Sequence, residues 1–195
     1  SLLATLREWA ESGWLRRLDA AFARFLHGLE PDASPELLMA GALVAHMEGR
    51  GHACLLLDEL LGDADALLGW PAEAQTALHA AMASLHTDPG AWTEALQASP
   101  LVAASDATGS APLVLHEGRL YLRRYWDYER AVATHVIQRT AAQAVAGQPL
   151  DEAQARRWLD RLFPPVADGG AVDWQKLACA LALRGRLSVI TGGPG

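Results

Sequence analysis

Apolar residues recur every three to four positions from the start of the chain to Pro100, a spacing that a bundle of short helices satisfies. The segment SPELLMAGALVAHMEGRG has clear boundaries. Ser34 is a predicted N-cap, Pro35 occupies the first helical position, and glycines follow the last apolar turn. In the first segment the helical face comprises Leu2, Leu3, Leu6, Trp9 and Ala10. We therefore predict helices joined by short turns here.

The neighbouring segments extend this prediction. LDAAFARFLHGL is expected to place its large apolar residues on one face: Leu18, Phe22, Phe25, Leu26 and Leu29. HACLLLDELLG indicates a brief extended segment and a short helix, while PAEAQTALHAAMASLH is rich in alanine and favours a helix. GAWTEALQAS predicts one more short helix.

The pattern changes after Pro100. PLVLHEGRLYLRR contains two apolar runs around His116, Glu117 and Gly118, which predicts a β-hairpin. YWDYERAVATHVIQRTAAQAVAG predicts a long helix, and LDEAQARRWLDRLFP predicts another that ends at Pro164 and Pro165. The glycine-rich PPVADGGA is the best linker in the chain.

Composition narrows the class of protein. The formal net charge is −7, which speaks against a stand-alone nucleic-acid-binding domain. No apolar run reaches the ~18 residues that span a bilayer, and no secretory signal is visible, so we expect no membrane association. Cys54 and Cys179 are far apart in sequence, which favours a reducing, cytoplasmic location.

The last segment, DWQKLACALALRGRLSVITGGPG, predicts a helix, a buried strand and a glycine-rich turn. Asp173 is expected to cap the helix through the N–H of Lys176, and Gly185 to end it. A helix of about 11 residues is about 16 Å long and a strand of about 6 residues is about 20 Å long. If the chain doubles back at Gly185, Gln175 returns beside Gly192.

This proximity predicts half of a nucleotide site. The amide of Gln175 can both donate to and accept from the N6 and N7 edge of an adenine. A phosphate-binding P-loop needs Gly, four residues, then Gly-Lys-Ser/Thr. Gly192, Gly193, Pro194 and Gly195 would begin such a loop, and the Lys would lie beyond them. The alternatives are a plain turn and a solvated glutamine.

At these residues the chain resembles the RecD family, the alpha subunits of exodeoxyribonuclease V, a helicase–nuclease. In that family the loop continues as Gly-Gly-Pro-Gly-Thr-Gly-Lys-Thr. GHACLLLDEL, RLYLRRYWDYER and LDRLFP are similar to segments that occur in the same order in RecD N-terminal regions. The resemblance covers essentially the whole chain and is most specific over residues 115–195.

The resemblance implies an ATP- and Mg²⁺-dependent 5′-to-3′ DNA helicase that works with RecB-type and RecC-type subunits in double-strand-break repair and recombination. Gln175 matches the adenine-contacting glutamine of the family, and Gly192, Gly193, Pro194 and Gly195 match the first half of its phosphate loop. No catalytic residue and no metal ligand of the family has a position in this sequence. The chain alone is therefore expected to bind no cofactor and to be inactive, and its N-terminal domain to dock the RecC-type scaffold.

The expected fold is mainly α with a small β-hairpin. Residues 1–108 would form a helical docking domain, and residues 109–165 the hairpin and two helices. After a linker at 166–171, residues 172–195 would be the first helix and strand of a truncated RecA-like α/β motor domain. The strand at 187–191 is expected to lack sheet partners, and hence to be poorly ordered or to pair with another copy.

Other polar clusters have plainer interpretations. His46, His52 and Cys54 match no standard zinc motif, so a structural role is favoured. His79 and His86 are interpreted as surface residues on an alanine-rich helix. The aromatic and arginine residues of LRRYWDYER could stack on bases, but packing at a hairpin-to-helix corner, with its arginines paired to Asp127 and Glu129, is favoured.

Two interpretations of Trp9 and Trp14 stay open. They are either core residues or part of an apolar patch for a partner. The alternative to a motor subunit is a non-catalytic interaction module that ends in a glycine-rich turn. A P-loop kinase or GTPase is disfavoured, because those proteins commonly place the loop near the N-terminus.

Overall fold

The computed structural model describes residues 1–105, 109–141, 151–164, 172–185 and 187–192. The chain divides into two compact units, Ser1–Glu129 and Arg130–Gly195. The expected linker at 166–171 lies outside the described residues.

The first unit begins with six helices. They are α1 (Leu2–Glu11), α2 (Arg17–Leu29), α3 (Pro35–Gly49), α4 (Leu57–Leu68), α5 (Ala72–Met82) and α6 (Pro89–Gln97). A small sheet accompanies them, formed by β1 (Leu55–Leu56), β2 (Val102–Ala104), β3 (Leu113–His116) and β4 (Arg119–Leu122). The mainly α fold with a small β-hairpin is therefore confirmed.

Helix α3 is the centre of the first unit. Its start is as predicted, since the Ser34 side chain accepts from the N–H of Leu37 at 3.1 Å and Pro35 is the first helical residue. Every residue from 37 to 45 is buried, and a helix that is apolar on all sides belongs inside a core. A Cβ at Gly41 would overlap the side chain of Leu26, so this glycine allows α2 and α3 to pack closely.

The sheet has the strand order β1-β4-β3-β2. Strands β3 and β4 form the predicted hairpin, whose two turn residues, Glu117 and Gly118, have φ values of 47° and 72°. Positive φ at both positions gives the turn that matches the twist of the strands. Strand β1 pairs antiparallel with β4, and β2 pairs parallel with β3.

These pairings join strands from both sides of the predicted boundary at residue 108. The hairpin, which the sequence places within residues 109–165, pairs with strands that precede residue 108. The first compact unit accordingly continues to Glu129. Two short extended segments far apart in sequence cannot be recognised as one sheet from local pattern alone.

The long helix α7 (Arg123–Ala141) follows the hairpin directly. The second unit then contains α8 (Glu152–Leu162) and α9 (Trp174–Arg184). Asp151 caps α8 by accepting from the N–H of Gln154 at 2.9 Å. Helices α8 and α9 pack against each other within this unit.

The predicted apolar face of α2 is wrong in part. Leu26 is buried, but Leu18, Phe25 and Leu29 are 64%, 52% and 53% exposed. The face that packs against the rest of the unit carries Asp19 in addition to Ala23 and Leu26. A pattern that counts apolar residues cannot place an aspartate on the buried side.

Trp9 belongs to the core. Its ring is 2% exposed and meets the ring of Trp70 edge-on, with centroids 5.5 Å apart. Trp14 is half-buried and packs against the same core. The open question about these two tryptophans is thus settled for Trp9, which offers no surface to a partner.

Asp19 is fully buried and accepts hydrogen bonds from two residues. The backbone N–H of Arg16 lies 2.8 Å from Oδ2, and the Arg16 Nε lies 2.9 Å from Oδ1. His46 Nδ1 lies 3.2 Å from Oδ2. Burial raises the pKa of Asp19, but the hydrogen bonds from His46 and Arg16 outweigh it, so the pKa lies below its usual value.

The network continues beyond Asp19. Trp70 Nε1 donates to His46 Nε2 at 3.2 Å, so the proton of the neutral imidazole is on Nδ1, where it donates to Asp19. Arg16 also reaches Glu48, with Nη2 and Oε2 separated by 3.2 Å, and Tyr125 donates to the other Glu48 oxygen at 2.7 Å. One buried carboxylate therefore connects α2, α3, α7 and the turn after α4.

Replacement of Asp19 by alanine should lower the free energy of unfolding of this chain by about 3–5 kcal/mol, because it leaves the Arg16 and His46 groups without their buried partner. Urea unfolding followed by circular dichroism measures this. Glu11→Ala is the control, because Glu11 is exposed and its pair with Arg7 is 3.8 Å long; it should cost less than about 0.5 kcal/mol. Equal losses for the two variants would contradict the assignment.

The lowered pKa of Asp19 predicts a pH dependence. A carboxyl group whose pKa is depressed in the folded state stabilises the protein above its unfolded pKa of about 4, and this contribution is lost as pH falls through the folded value. Asp19→Asn removes the titrating group, so its unfolding free energy should fall less steeply below about pH 4 than that of the parent chain. Parallel curves from urea titrations at each pH would contradict the role of Asp19.

Candidate functional site

The N-terminus of α9 is built as the sequence predicts. Asp173 Oδ1 accepts from the backbone N–H of Lys176 at 2.9 Å, and the helix begins at Trp174. This cap places Gln175 in the first turn, where its side chain is exposed. The Gln175 amide is therefore accessible to a ligand at this helix end.

Lys176 fixes the same helix end to α8. Its Nζ lies 2.7 Å from Asp160 Oδ1. The hydrogen bond from Lys176 lowers the pKa of Asp160 and keeps that carboxylate charged. The ion pair thus positions the first turn of α9 from one side, while the Asp173 cap positions it from within.

The chain leaves α9 at Gly185, as predicted, but without the left-handed conformation common at such glycines. Its φ and ψ are −103° and 151°, and its N–H donates to the carbonyl of Ala182 at 3.4 Å. A Cβ here would lie 3.1 Å from Ser188 Oγ and 3.3 Å from the Leu187 carbonyl. Leu187 and Ser188 therefore lie close to the end of α9.

The buried strand expected at 187–191 is not formed in the described segment 187–192, which has no β-ladder. Val189 and Ile190 are 83% and 65% exposed. A strand needs neighbouring strands to satisfy its backbone N–H and C=O groups. The lack of sheet partners agrees with the expectation, whereas the expected disorder or pairing with another copy stays a prediction.

The space beside the Cα of Gly192 is open. Within the described part of the chain, apart from its immediate neighbours, no atom lies within 4 Å of the position that a Cβ would occupy at Gly192. Gly193, Pro194 and Gly195, the other predicted phosphate-loop residues, lie outside the described residues. The joint nucleotide site of Gln175 and these glycines stays a prediction.

The apolar side chains of α9 are largely uncovered. Trp174, Leu177 and Leu181 are 72%, 40% and 60% exposed. Between α8 and α9 lies an open groove of about 700 Å³ whose apolar lining includes Trp158, Leu162 and Leu183. Exposed apolar surface of this kind marks a contact surface.

The histidine clusters have structural partners. His79 Nε2 lies 3.0 Å from Asp65, and His86 Nδ1 lies 2.8 Å from the buried Glu36. Both histidines are exposed, as predicted, and His46 belongs to the Asp19 network. Across the described ranges, no group of three or more His, Cys, Asp or Glu residues could hold a metal ion.

The aromatic corner LRRYWDYER packs as predicted at Trp126, whereas Tyr128 is 59% exposed. Trp126 is buried between His116 and Tyr121, with ring centroids 5.1 Å and 5.0 Å away. Arg123 Nε donates to the Ala111 carbonyl at 3.0 Å, and the Arg124 guanidinium lies 5.2 Å from the ring centroid of Tyr125. These contacts fix the start of α7 on the hairpin, and the pairing of the arginines with Asp127 and Glu129 stays a prediction.

No helix in the described portions of the chain has the length and apolar character required to cross a membrane.

The protein has a helical domain closed by a small mixed sheet, followed along the chain by a capped helix that leads to a glycine-rich segment. Residues 11–121 match the family model of the N-terminal domain of the RecBCD enzyme subunit RecD. The chain belongs to this family.

Curated relatives extend the likeness beyond that domain. The chain is 34% identical to the RecBCD enzyme subunit RecD of Mycolicibacterium smegmatis over 85% of its length. It is 29% identical to the RecD subunit of Mycobacterium tuberculosis over 97% of its length, and 26% identical to that of Haemophilus influenzae over its whole length. The chain spans only 24%, 28% and 31% of these three relatives, respectively.

Replacement of Asp173 by alanine should loosen the first turn of α9, because it removes the acceptor for the Lys176 N–H. A lost N-cap costs about 1 kcal/mol, so hydrogen exchange of the Lys176 amide should accelerate about fivefold. Asp151→Ala is the matched control, because it removes the corresponding cap from Gln154 on α8. If the two variants changed the hydrogen-exchange rate of the Lys176 amide equally, the Asp173 cap would not be the contact that holds this turn.

Proposed function

We propose that the chain is the N-terminal part of an ATP-dependent 5′-to-3′ DNA helicase subunit of the RecBCD type, which acts in the cytoplasm in double-strand-break repair and recombination. The family membership supports the identity of the subunit. The uncovered apolar face of α9 supports a role for α9 and the segment after it as the start of a larger α/β motor domain. That exposed face is the observation that carries the proposal.

The nucleotide would be held at the start of α9 and in the glycine-rich loop. Gln175 is exposed in the first helical turn, where its amide can pair with the edge of an adenine. Gly192, Gly193, Pro194 and Gly195 would supply backbone N–H groups to the phosphates of ATP. A bound Mg²⁺ would neutralise the phosphate charge, and the residues that hold it, like the catalytic Lys, have no counterpart in this sequence.

The first unit would act as a docking domain. Its core is complete without the second unit, since α3 is enclosed by the other helices and the sheet. Such a unit can bind a RecC-type scaffold, with the RecB-type subunit and DNA engaged in the intact complex. Binding of this chain to a purified RecC-type subunit tests the docking role independently of ATP.

In the full-length protein that carries this chain, Gln175→Ala should reduce the preference for ATP over GTP and CTP, because the amide that recognises adenine is lost. A lost base-reading contact of this kind costs about 1–3 kcal/mol of discrimination. The ratio of kcat/KM for the three nucleotides during DNA-dependent hydrolysis measures it. Gln154→Ala, at an exposed glutamine of α8, is the matched control and should leave the ratio unchanged.

An unaltered base preference in Gln175→Ala would remove the nucleotide role of this residue. Absence of any DNA-dependent hydrolysis in the full-length protein would instead favour the non-catalytic interaction module. The docking role would survive either result.

A further inference from the structure

Large exposed apolar side chains in the first unit are concentrated on one helix. Over the described residues of this unit there are four of them, of which Leu18, Phe25 and Leu29 lie on α2 and Tyr128 lies on α7. Positions 18, 25 and 29 are separated by seven and four residues, so they form one stripe along the helix. The unit therefore buries its large apolar residues almost everywhere except along α2.

The stripe is a built surface. Phe22 is half-buried beside it, and its ring is stacked on that of Phe25 with centroids 6.1 Å apart and planes at 25°. The opposite side of α2 is held inward through Asp19 and Leu26. Because that side is fixed by polar contacts to α3, α2 cannot turn to bury the stripe without separating Asp19 from His46 and Arg16 from Glu48.

Another side of α2 lines a groove that carries three arginines and one carboxylate, Glu11. Between α1 and α2 lies a groove of about 600 Å³ whose floor includes Ala4, Ala20 and Ala21, and whose walls carry Arg7, Arg17 and Arg24. Arg7 pairs with Glu11 at 3.8 Å. No carboxylate of the described chain lies within ion-pairing distance of Arg17 or Arg24, which are seven residues apart on α2.

Small side chains separate the two features. Ala21 lies in the groove, and a Cβ added at Gly28 would meet no atom within 4 Å, so the helix backbone is open to close approach between the stripe and the arginines. A ridge of large apolar residues beside a small-residue track is a surface that receives an amphipathic helix. The arginines would select carboxylates at the edge of that helix.

Other occupants fit less well. Pairing of the stripe with a second copy would bring Arg17 and Arg24 of both chains together, and the groove carries one carboxylate, Glu11, against three arginines. Nucleic acid would use the arginines but would leave the apolar stripe exposed to water. The chain as a whole carries a net charge of −7, which disfavours the binding of nucleic acid further.

We propose that α2 is the docking helix of this domain and that it receives an amphipathic helix of a partner subunit, with apolar residues against Leu18, Phe25 and Leu29 and with carboxylates against Arg17 and Arg24. This inference rests on the docking role proposed above and assigns the surface that performs it. The residues are exposed, so their replacement tests contact and not folding.

The test measures the affinity of the full-length protein for the purified RecC-type subunit of the same organism by biolayer interferometry. Phe25→Ala should weaken binding about 30-fold, as for an aromatic anchor at the centre of an interface. The double variant Arg17→Glu, Arg24→Glu should weaken binding about tenfold and reduce its salt dependence. Tyr128→Ala and Arg119→Glu are the matched controls, because both residues are exposed in the same unit away from α2.

The two proposals fail in different ways. If the parent protein binds the RecC-type subunit and the α2 variants bind equally well, the docking role stands and the assignment to α2 is overturned. If the parent protein does not bind, the docking role and this inference are both overturned. A parent protein that dimerises in analytical ultracentrifugation and becomes monomeric with Phe25→Ala, or arginine variants that lose only DNA affinity, would also overturn the assignment.

Discussion

The buried carboxylate of Asp19 decides how the first unit is assembled. A charge taken out of water must be paired and hydrogen-bonded. Arg16 pairs with Asp19 at the start of the same helix, and the orientation of α2 brings this carboxylate to His46 on α3. His46 is held in turn by Trp70, whose ring packs on Trp9. The orientation of α2 is thus set by polar groups, while the area buried around α3 supplies the main driving force for folding.

This orientation has a consequence for the surface. By turning Asp19 and Leu26 inward, the helix turns Leu18, Phe25 and Leu29 outward, although these are the residues that a helical pattern would assign to the core. Burying them would separate Asp19 from His46, so the domain keeps this apolar surface exposed. The structural interaction and the proposed docking surface are therefore two sides of one helix.

The sequence predicts what is decided locally. Helices capped by Ser34 or Asp173 and the hairpin at Glu117 and Gly118 occur where expected, because their signals lie within a few residues. The face of α2 and the pairing of β1 and β2 with the hairpin could not be predicted, because each depends on residues distant in sequence. The sequence around Asp19 offers one local signal, an acidic residue three positions after Arg16. An acidic residue in this place is typical of a helix N-terminus, and it does not indicate whether the side chain is buried.

The candidate nucleotide site also combines a part that nearby residues determine with a part that distant residues determine. The first turn of α9 needs only the Asp173 cap and the Lys176 ion pair, so Gln175 is placed by local contacts. The segment 187–192 has the apolar composition of a buried strand, but it has no β-ladder, and the four strands of the described chain all belong to the first unit. A strand is positioned by its neighbours in a sheet, whereas a capped helix turn positions itself. The position of Gln175, the proposed adenine contact, can therefore be set locally, whereas the position of the proposed phosphate loop depends on sheet partners for the segment before it.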